Sequence, residues 1–459
     1  MPTELSTLRC IEPTCSASYE INERIYTCPR CGGLLEALRY AVAIEPTESL
    51  CEIWTNRLTS LDAKDRSGVW RYRELLPFAE SVEVVSLFEG NTPIYEAPRS
   101  AKFVGLNALK LKHQGCNPTA SFKDNGMTVA VTQAKVLGAQ FLVCASTGNT
   151  AASLAAYAAR AGVACAILVP QGQISMGKLA QSLDYGAHVF ELEGNFDDAM
   201  RVTRELGEDE SVYLVNSINP FRIEGQKTVA AELVHQLGWS VPNHVVMPGG
   251  NLGNSAAFGK GFRELYELGV IDRVPKISVI QAEGAAPLAH LFNECRMQNA
   301  ECGIDEMLNV GLQPVEHPQT LATAIKIGAP VSWKKSLRAV VESGGRVLTV
   351  SEQEVADAKA TIGRDGIGCE PASATTVAGI KKLVHDGFIR SDENVVAILT
   401  GHVLKDSDYV INYHLGKLFV GEETAEGETI KQRIASTHAN TPISVKATKE
   451  AILEEMRNK

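Results

Sequence analysis

Between residues 140 and 250 the chain repeats one pattern: a strand-length apolar run, a turn of small polar residues, then a stretch that reads as helix. Residues 140–145 run into Ser146-Thr147-Gly148-Asn149-Thr150 and on into the small-residue stretch 151–161. A buried run at 163–170 follows, then a helical stretch at 177–185 and a short run at 187–191. Strands that alternate with crossover helices pair in parallel, which predicts an α/β protein with doubly wound parallel sheets. Further strands are expected at 108–112, 244–248, 276–282, 346–350 and 394–399, and residues 87–93 read as the turn of a short hairpin.

With 459 residues the chain can bury two cores, and 45% hydrophobic content with 21% charge fits a globular protein. The net charge of -10 argues against nucleic acid as a partner, and there is no apolar run long enough to span a bilayer. The first residues lack the basic and apolar regions of a secretion signal, and eleven scattered cysteines suit a reducing cytoplasm.

One lysine stands at the mouth of an apolar run. In Pro118-Thr119-Ala120-Ser121-Phe122-Lys123-Asp124-Asn125-Gly126-Met127-Thr128, residues 127–136 read as a buried helix that Ser121 or Thr119 would cap. Beside an apolar wall, at the positive end of a helix dipole, Lys123 would have a lowered pKa and suit Schiff-base chemistry. A lone lysine there is more often one that snorkels from a helix. The turn at 146–150 forms an anion cradle at a helix N-terminus, and Gly249-Gly250-Asn251-Leu252-Gly253-Asn254 forms a second. The spacing of that second loop fits neither the dinucleotide fingerprint nor the P-loop. Thr400 closes the strand at 394–399, where strand ends converge on a ligand.

Cys10, Cys15, Cys28 and Cys31 lie in a short polar segment at the N-terminus. Four thiolates at two turns suit a tetrahedral zinc ribbon, although four residues separate the first pair. A ribbon remnant without metal is the equal alternative. A closed site of this kind is structural.

Taken together, the lysine segment, the Ser-Thr-Gly-Asn-Thr turn, the glycine loop and Thr400-Gly401-His402 resemble the threonine synthase family over roughly residues 85–415. The stretch Asn216-Ser217-Ile218-Asn219-Pro220-Phe221-Arg222 with Ile223 to Thr228 is its most specific part. Several features look like the subgroup that contains the plant enzymes. The resemblance implies the tryptophan-synthase-β-like fold (fold type II) and pyridoxal phosphate as cofactor. Lys123 would hold the cofactor as a Schiff base, the N–H groups of Gly250, Asn251, Leu252, Gly253 and Asn254 its phosphate, Asn149 its phenolic oxygen, and Thr400 its ring nitrogen. Ser146, Thr147 and Thr150 would take the substrate carboxylate, and Asn216, Ser217 and Arg222 its phosphate. The implied activity converts O-phospho-L-homoserine and water to L-threonine and phosphate, in a cytoplasmic homodimer. An enzyme that acts on phosphoserine, like a cysteate synthase, and a non-catalytic zinc-ribbon binding protein are the alternatives. The expected division is a ribbon-like segment at 1–40, a large cofactor domain at 41–135 and 236–423, a small mobile domain at 136–235 and a tail at 424–459.

Overall fold

The computed structural model describes residues 6–39, 47–171, 176–194, 196–299, 302–423 and 429–457. Its largest sheet has six strands, in the order Val347–Val350, Lys276–Ala282, His244–Pro248, Val395–Leu399, Lys110–His113 and Ile94–Glu96. Neighbours run parallel except at the edge strand Ile94–Glu96. Every residue of His244–Pro248 and Val395–Leu399 is buried. Burial on both faces is why these central strands read as continuous apolar runs. A second sheet, wholly parallel, is formed by His188–Leu192, Ala164–Pro170, Phe141–Ala145 and Val212–Leu214. The doubly wound α/β reading therefore holds in both sheets. No described helix is long and apolar enough to cross a membrane.

Two helices form the floor between the sheets. Lys123–Val136 and Pro220–Gln236 are buried along most of their length and meet where Gly126 faces Gly225. A Cβ on Gly126 would lie 2.7 Å from the Arg222 carbonyl oxygen, so only glycine permits this approach. The second helix is held by a buried ion cluster, in which Glu224 binds Lys227 and Lys260 at 2.5 Å each.

The N-terminal cysteine segment is a three-stranded antiparallel sheet, Ser18–Glu20, Ser6–Cys10 and Leu35–Arg39, that lies across both units. Toward the six-stranded sheet, Lys334 pairs with Glu12 at 2.7 Å and Lys335 donates to the Leu35 carbonyl at 2.7 Å. Toward the four-stranded sheet, the Tyr26 hydroxyl accepts from the Leu214 N–H at 2.7 Å and Arg24 donates to the Leu137 carbonyl at 2.9 Å.

Several local expectations are corrected. The lysine helix starts at Lys123, four residues before 127, and its N-cap is Phe122 without a side-chain bond. Of the two expected caps, Ser121 accepts from the Lys123 N–H at 3.4 Å, whereas the Thr119 hydroxyl donates to Asp124 at 2.5 Å. Residues 87–93 are not a hairpin turn: among the described residues, Ile94–Glu96 pairs only with Lys110–His113, further along the chain. The loop instead wraps the buried Glu89 carboxylate, which accepts from Ser67, Ser86 and Tyr157. A fully hydrogen-bonded buried carboxylate organises a loop as firmly as an apolar side chain does.

Candidate active site

The carboxyl ends of the parallel strands converge on the lysine loop. Thr400 follows the central strand Val395–Leu399, and its carbonyl accepts from the Phe122 N–H at 2.9 Å. His402 N–H donates in turn to the Ala120 carbonyl at 3.0 Å. Between these ties Ala120 adopts a left-handed backbone, φ 66°, which for a residue with a Cβ requires support from its surroundings. Asp124 supplies that support. It accepts from Thr119 N–H at 2.7 Å and, across the cleft, from the Ser153 hydroxyl at 2.6 Å.

Lys123 is half-buried, with its amine 4.3 Å above the Phe122 ring. Burial of the amine, reinforced by the Arg222 guanidinium and opposed by Glu370, brings its pKa down to about 7. At neutral pH about half of such an amine is unprotonated, whereas an ordinary lysine is almost wholly charged. A neutral amine is the form that attacks carbonyl carbon and accepts protons.

Around the lysine lie the polar groups the sequence singled out. Asn149 opens the helix Asn149–Ala161 and donates through Nδ2 to Glu370 at 3.1 Å. The Thr400 hydroxyl donates to the other oxygen of Glu370, also at 3.1 Å. The glycine loop leaves the strand His244–Pro248 and opens the helix Gly253–Glu267. Leu252 takes a left-handed φ of 63° and buries its side chain in the core, which leaves the loop backbone to line the cleft. Asn251 ties this loop to the next one, as its Nδ2 donates to the Ser217 hydroxyl at 2.9 Å. Asn254 donates to Gln114 at 3.2 Å.

The fit of a phosphorylated cofactor can be judged from what these residues leave unpaired. Among the described residues, Gln114 Nε2, Arg222 Nε, Gln226 Oε1 and Asn254 Oδ1 are buried without a partner. All four belong to residues between the lysine helix and the glycine loop. Gln114 Nε2 and Arg222 Nε are donors, and unpaired buried donors beside a helix N-terminus mark a place for an anionic ligand, while the two amide oxygens are left to accept from a ligand or water. Glycine loop, low-pKa lysine and unpaired donors together fit pyridoxal phosphate.

Arg222 lies on the first turn of Pro220–Gln236, which Asn219 caps by accepting from the Phe221 N–H at 3.0 Å. Arg222 is 4% exposed, and its strongest contact is a 3.5 Å bond to the Val215 carbonyl. It has no carboxylate partner among the described residues, and burial lowers its pKa to about 10. A buried guanidinium without a counter-ion is primed for an anion from outside. Ser146, Thr147 and Thr150 lie half-buried around Asn149, with the Ser146 hydroxyl accepting from the Gly148 N–H. Asn216 is placed differently from the others. Its amide accepts from and donates to the Ala145 backbone at 3.2 Å each way, and so extends the sheet.

Glu370 and Asp124, two buried carboxylates bonded within the cleft, are not singled out by the sequence. The signal for Glu370 was faint: a carboxylate one residue ahead of Pro371 at a helix start normally faces solvent. Farther off, the sulfurs of Cys10, Cys15, Cys28 and Cys31 all lie within 4.8 Å of one another. Tetrahedral zinc with thiolates at its usual bond length separates sulfurs by roughly 3.8 Å, so this cluster has the dimensions of such a site.

A profile of the family described as "Pyridoxal-phosphate dependent enzyme" matches residues 85–401. Threonine synthase of Methanocaldococcus jannaschii is 46% identical over 404 residues, covering 88% of this chain and 94% of that protein. Threonine synthase of Methanosarcina acetivorans is 44% identical, covering 88% and 93%. Among solved structures, processed threonine deaminase isoform 2 from Solanum lycopersicum superposes with a TM-score of 0.57 at 18% identity, covering 78% of this chain and 86% of that one. An L-serine ammonia-lyase from Rhizomucor miehei gives 0.58 at 19%, covering 73% and 100%, and these two likenesses speak for the fold alone.

Proposed function

Because the chain belongs to the threonine synthases, within the pyridoxal-phosphate-dependent enzymes, we propose that it binds O-phospho-L-homoserine in the Lys123 cleft and releases L-threonine and phosphate. It is a pyridoxal-phosphate-dependent lyase. The observation that carries the substrate is Arg222: a buried guanidinium without a counter-ion, close enough to Lys123 to depress its pKa.

Lys123 would hold the cofactor covalently, with the backbone of Gly250 to Asn254 on its phosphate, Asn149 on its phenolic oxygen and Thr400 on its ring nitrogen. When bound, the cofactor stores the electrons left as the substrate's C–H bonds break. Lys123 moves the protons. Its amine removes the one on Cα and then serves at Cβ, tasks that need an amine neutral near pH 7. Ser146, Thr147 and Thr150 hold the substrate carboxylate and so set Cα against the lysine. Arg222, with Ser217, holds the phosphate as it departs from Cγ, where a planar guanidinium offers two parallel bonds. Asn216 contributes by fixing the position of Ala145 next to Ser146. A hydroxyl from water then adds at Cβ and a proton reaches Cγ. Water must be excluded early and admitted late, so the unit at 136–235 closes over bound substrate.

Three further features belong to this reading. The four N-terminal thiolates hold a structural zinc, the protein assembles as a homodimer, and it works in the reducing cytoplasm its eleven cysteines suit. Incubation with phosphohomoserine, following phosphate and threonine together, tests the activity. Phosphate release from phosphoserine without turnover of phosphohomoserine would refute it.

A further inference from the structure

Glu370 lies where three parts of the site meet. It is 4% exposed, and each carboxylate oxygen takes one bond, Oε2 from Asn149 Nδ2 and Oε1 from the Thr400 hydroxyl. Asn149 leaves the four-stranded sheet and Thr400 the six-stranded one, so this carboxylate joins the two units across the cleft. The hydroxyl protons around it run one way. Ser373 Oγ accepts from the N–H groups of Thr400 at 2.8 Å and Gly401 at 3.2 Å. Its own proton is left for Thr400 Oγ1 at 3.1 Å, and Thr400 donates onward to Glu370. Gly401 makes the room, since a Cβ there would lie 2.3 Å from the carboxyl carbon of Glu370.

A carboxylate buried without a bonded cation is unfavourable, and burial pushes the Glu370 pKa up despite its two hydrogen bonds. Its placement makes sense through its partners. Resting on the reading that Asn149 holds the phenolic oxygen of the cofactor ring, we propose that Glu370 is a positioning residue whose carboxylate fixes the flip of the Asn149 amide. With Nδ2 turned to Glu370, Asn149 keeps its second N–H for an anionic oxygen of the ring. Glu370 also faces the Lys123 amine, where its charge acts against that of the like-charged Arg222, while Lys405 and Cys369 face Glu370.

The test uses holoenzyme without substrate and two variants. Glu370→Gln is expected to weaken pyridoxal phosphate binding about tenfold, the effect of losing one charge-assisted hydrogen bond. It also lowers the pH midpoint of the visible absorption by about one unit, because an anion that favoured the cationic lysine nitrogen is gone. Glu370→Asp keeps the charge and loses the reach, so binding weakens while the midpoint stays. Wild-type affinity and midpoint in both variants, with only thermal stability changed, overturn the proposal. If Glu370→Gln does not fold, unchanged affinity in Glu370→Asp overturns it as well. Neither reading involves substrate, so failure here is distinct from failure of the proposed activity, which would show as wild-type enzyme that releases no phosphate from phosphohomoserine.

Discussion

A Cβ placed on Gly225 would sit 1.9 Å from the carbonyl oxygen of Asn125, two residues past Lys123. The helix with Arg222 and the helix with Lys123 are thus in backbone contact, with no room between them for a methyl group. Gly225→Ala must push the helices apart. A loss of about 3 kcal/mol is expected, the upper range for overpacking, together with a fall in kcat/KM larger than the fall in cofactor affinity. Chemical denaturation beside steady-state kinetics measures both, and wild-type kinetics in a destabilised variant would mean that the spacing is immaterial.

Lys123 should be the most reactive amine of the cofactor-free chain. Its modification by an amine-directed reagent is expected to rise through a midpoint near pH 7, whereas ordinary lysines respond near 10. The sign for stability follows. The native pKa lies below the unfolded value, so charging Lys123 opposes folding below about pH 7, and that penalty is relieved as pH rises toward the unfolded pKa. Lys123→Met should therefore stabilise the cofactor-free chain more at pH 6 than at pH 10. Peptide mapping after modification, and denaturation at the two pH values, check this. Borohydride fixation of the cofactor on any other lysine would withdraw the assignment.

Arg222→Lys should be worse than its conserved charge suggests. An ammonium offers a compact charge where the guanidinium offers two parallel bonds, and a charge-assisted bond is worth roughly 1.5–3 kcal/mol. A ten- to hundredfold loss of kcat/KM for phosphohomoserine is expected, on the order of that energy. Spectral affinity for a non-phosphorylated four-carbon amino acid should hardly change. Equal losses for both ligands would assign Arg222 to the fold instead.

Removal of the proposed zinc from the cysteine cluster should loosen the N-terminal sheet before it affects turnover. Metal analysis and thermal unfolding with and without chelator test this, with kcat expected to stay within about twofold while the unfolding temperature falls. Turnover lost in step with zinc would contradict a structural site.

Much of the site was legible because its parts are local motifs. Lys123, the turn around Asn149, the glycine loop and Thr400 each lie at a strand end, and parallel topology brings strand ends together. What escaped the sequence depends on pairs far apart. Glu370 meets Asn149 across 221 positions, and nothing beside either residue announces the other. The resemblance gives Asn216 a place on the substrate phosphate, while the pairing of its amide with the Ala145 backbone depends on a strand reached only through the fold. Glu89 sat in a stretch with the composition of a turn, and its burial follows from Tyr157 and Ser67, neither of them nearby in sequence.

The bond from the Leu214 N–H to Tyr26 has a consequence for how the protein keeps to itself. Val212–Leu214 is the outer strand of its sheet, three buried residues with an open row of backbone groups on one side. Such edges template pairing between molecules unless something covers them. Tyr26 and Arg24 are that cover, occupying the Leu214 N–H and the Val212 carbonyl from the cysteine segment. A chain shorn of its first forty residues would expose this edge, and the natural partner for it is the same edge of another copy.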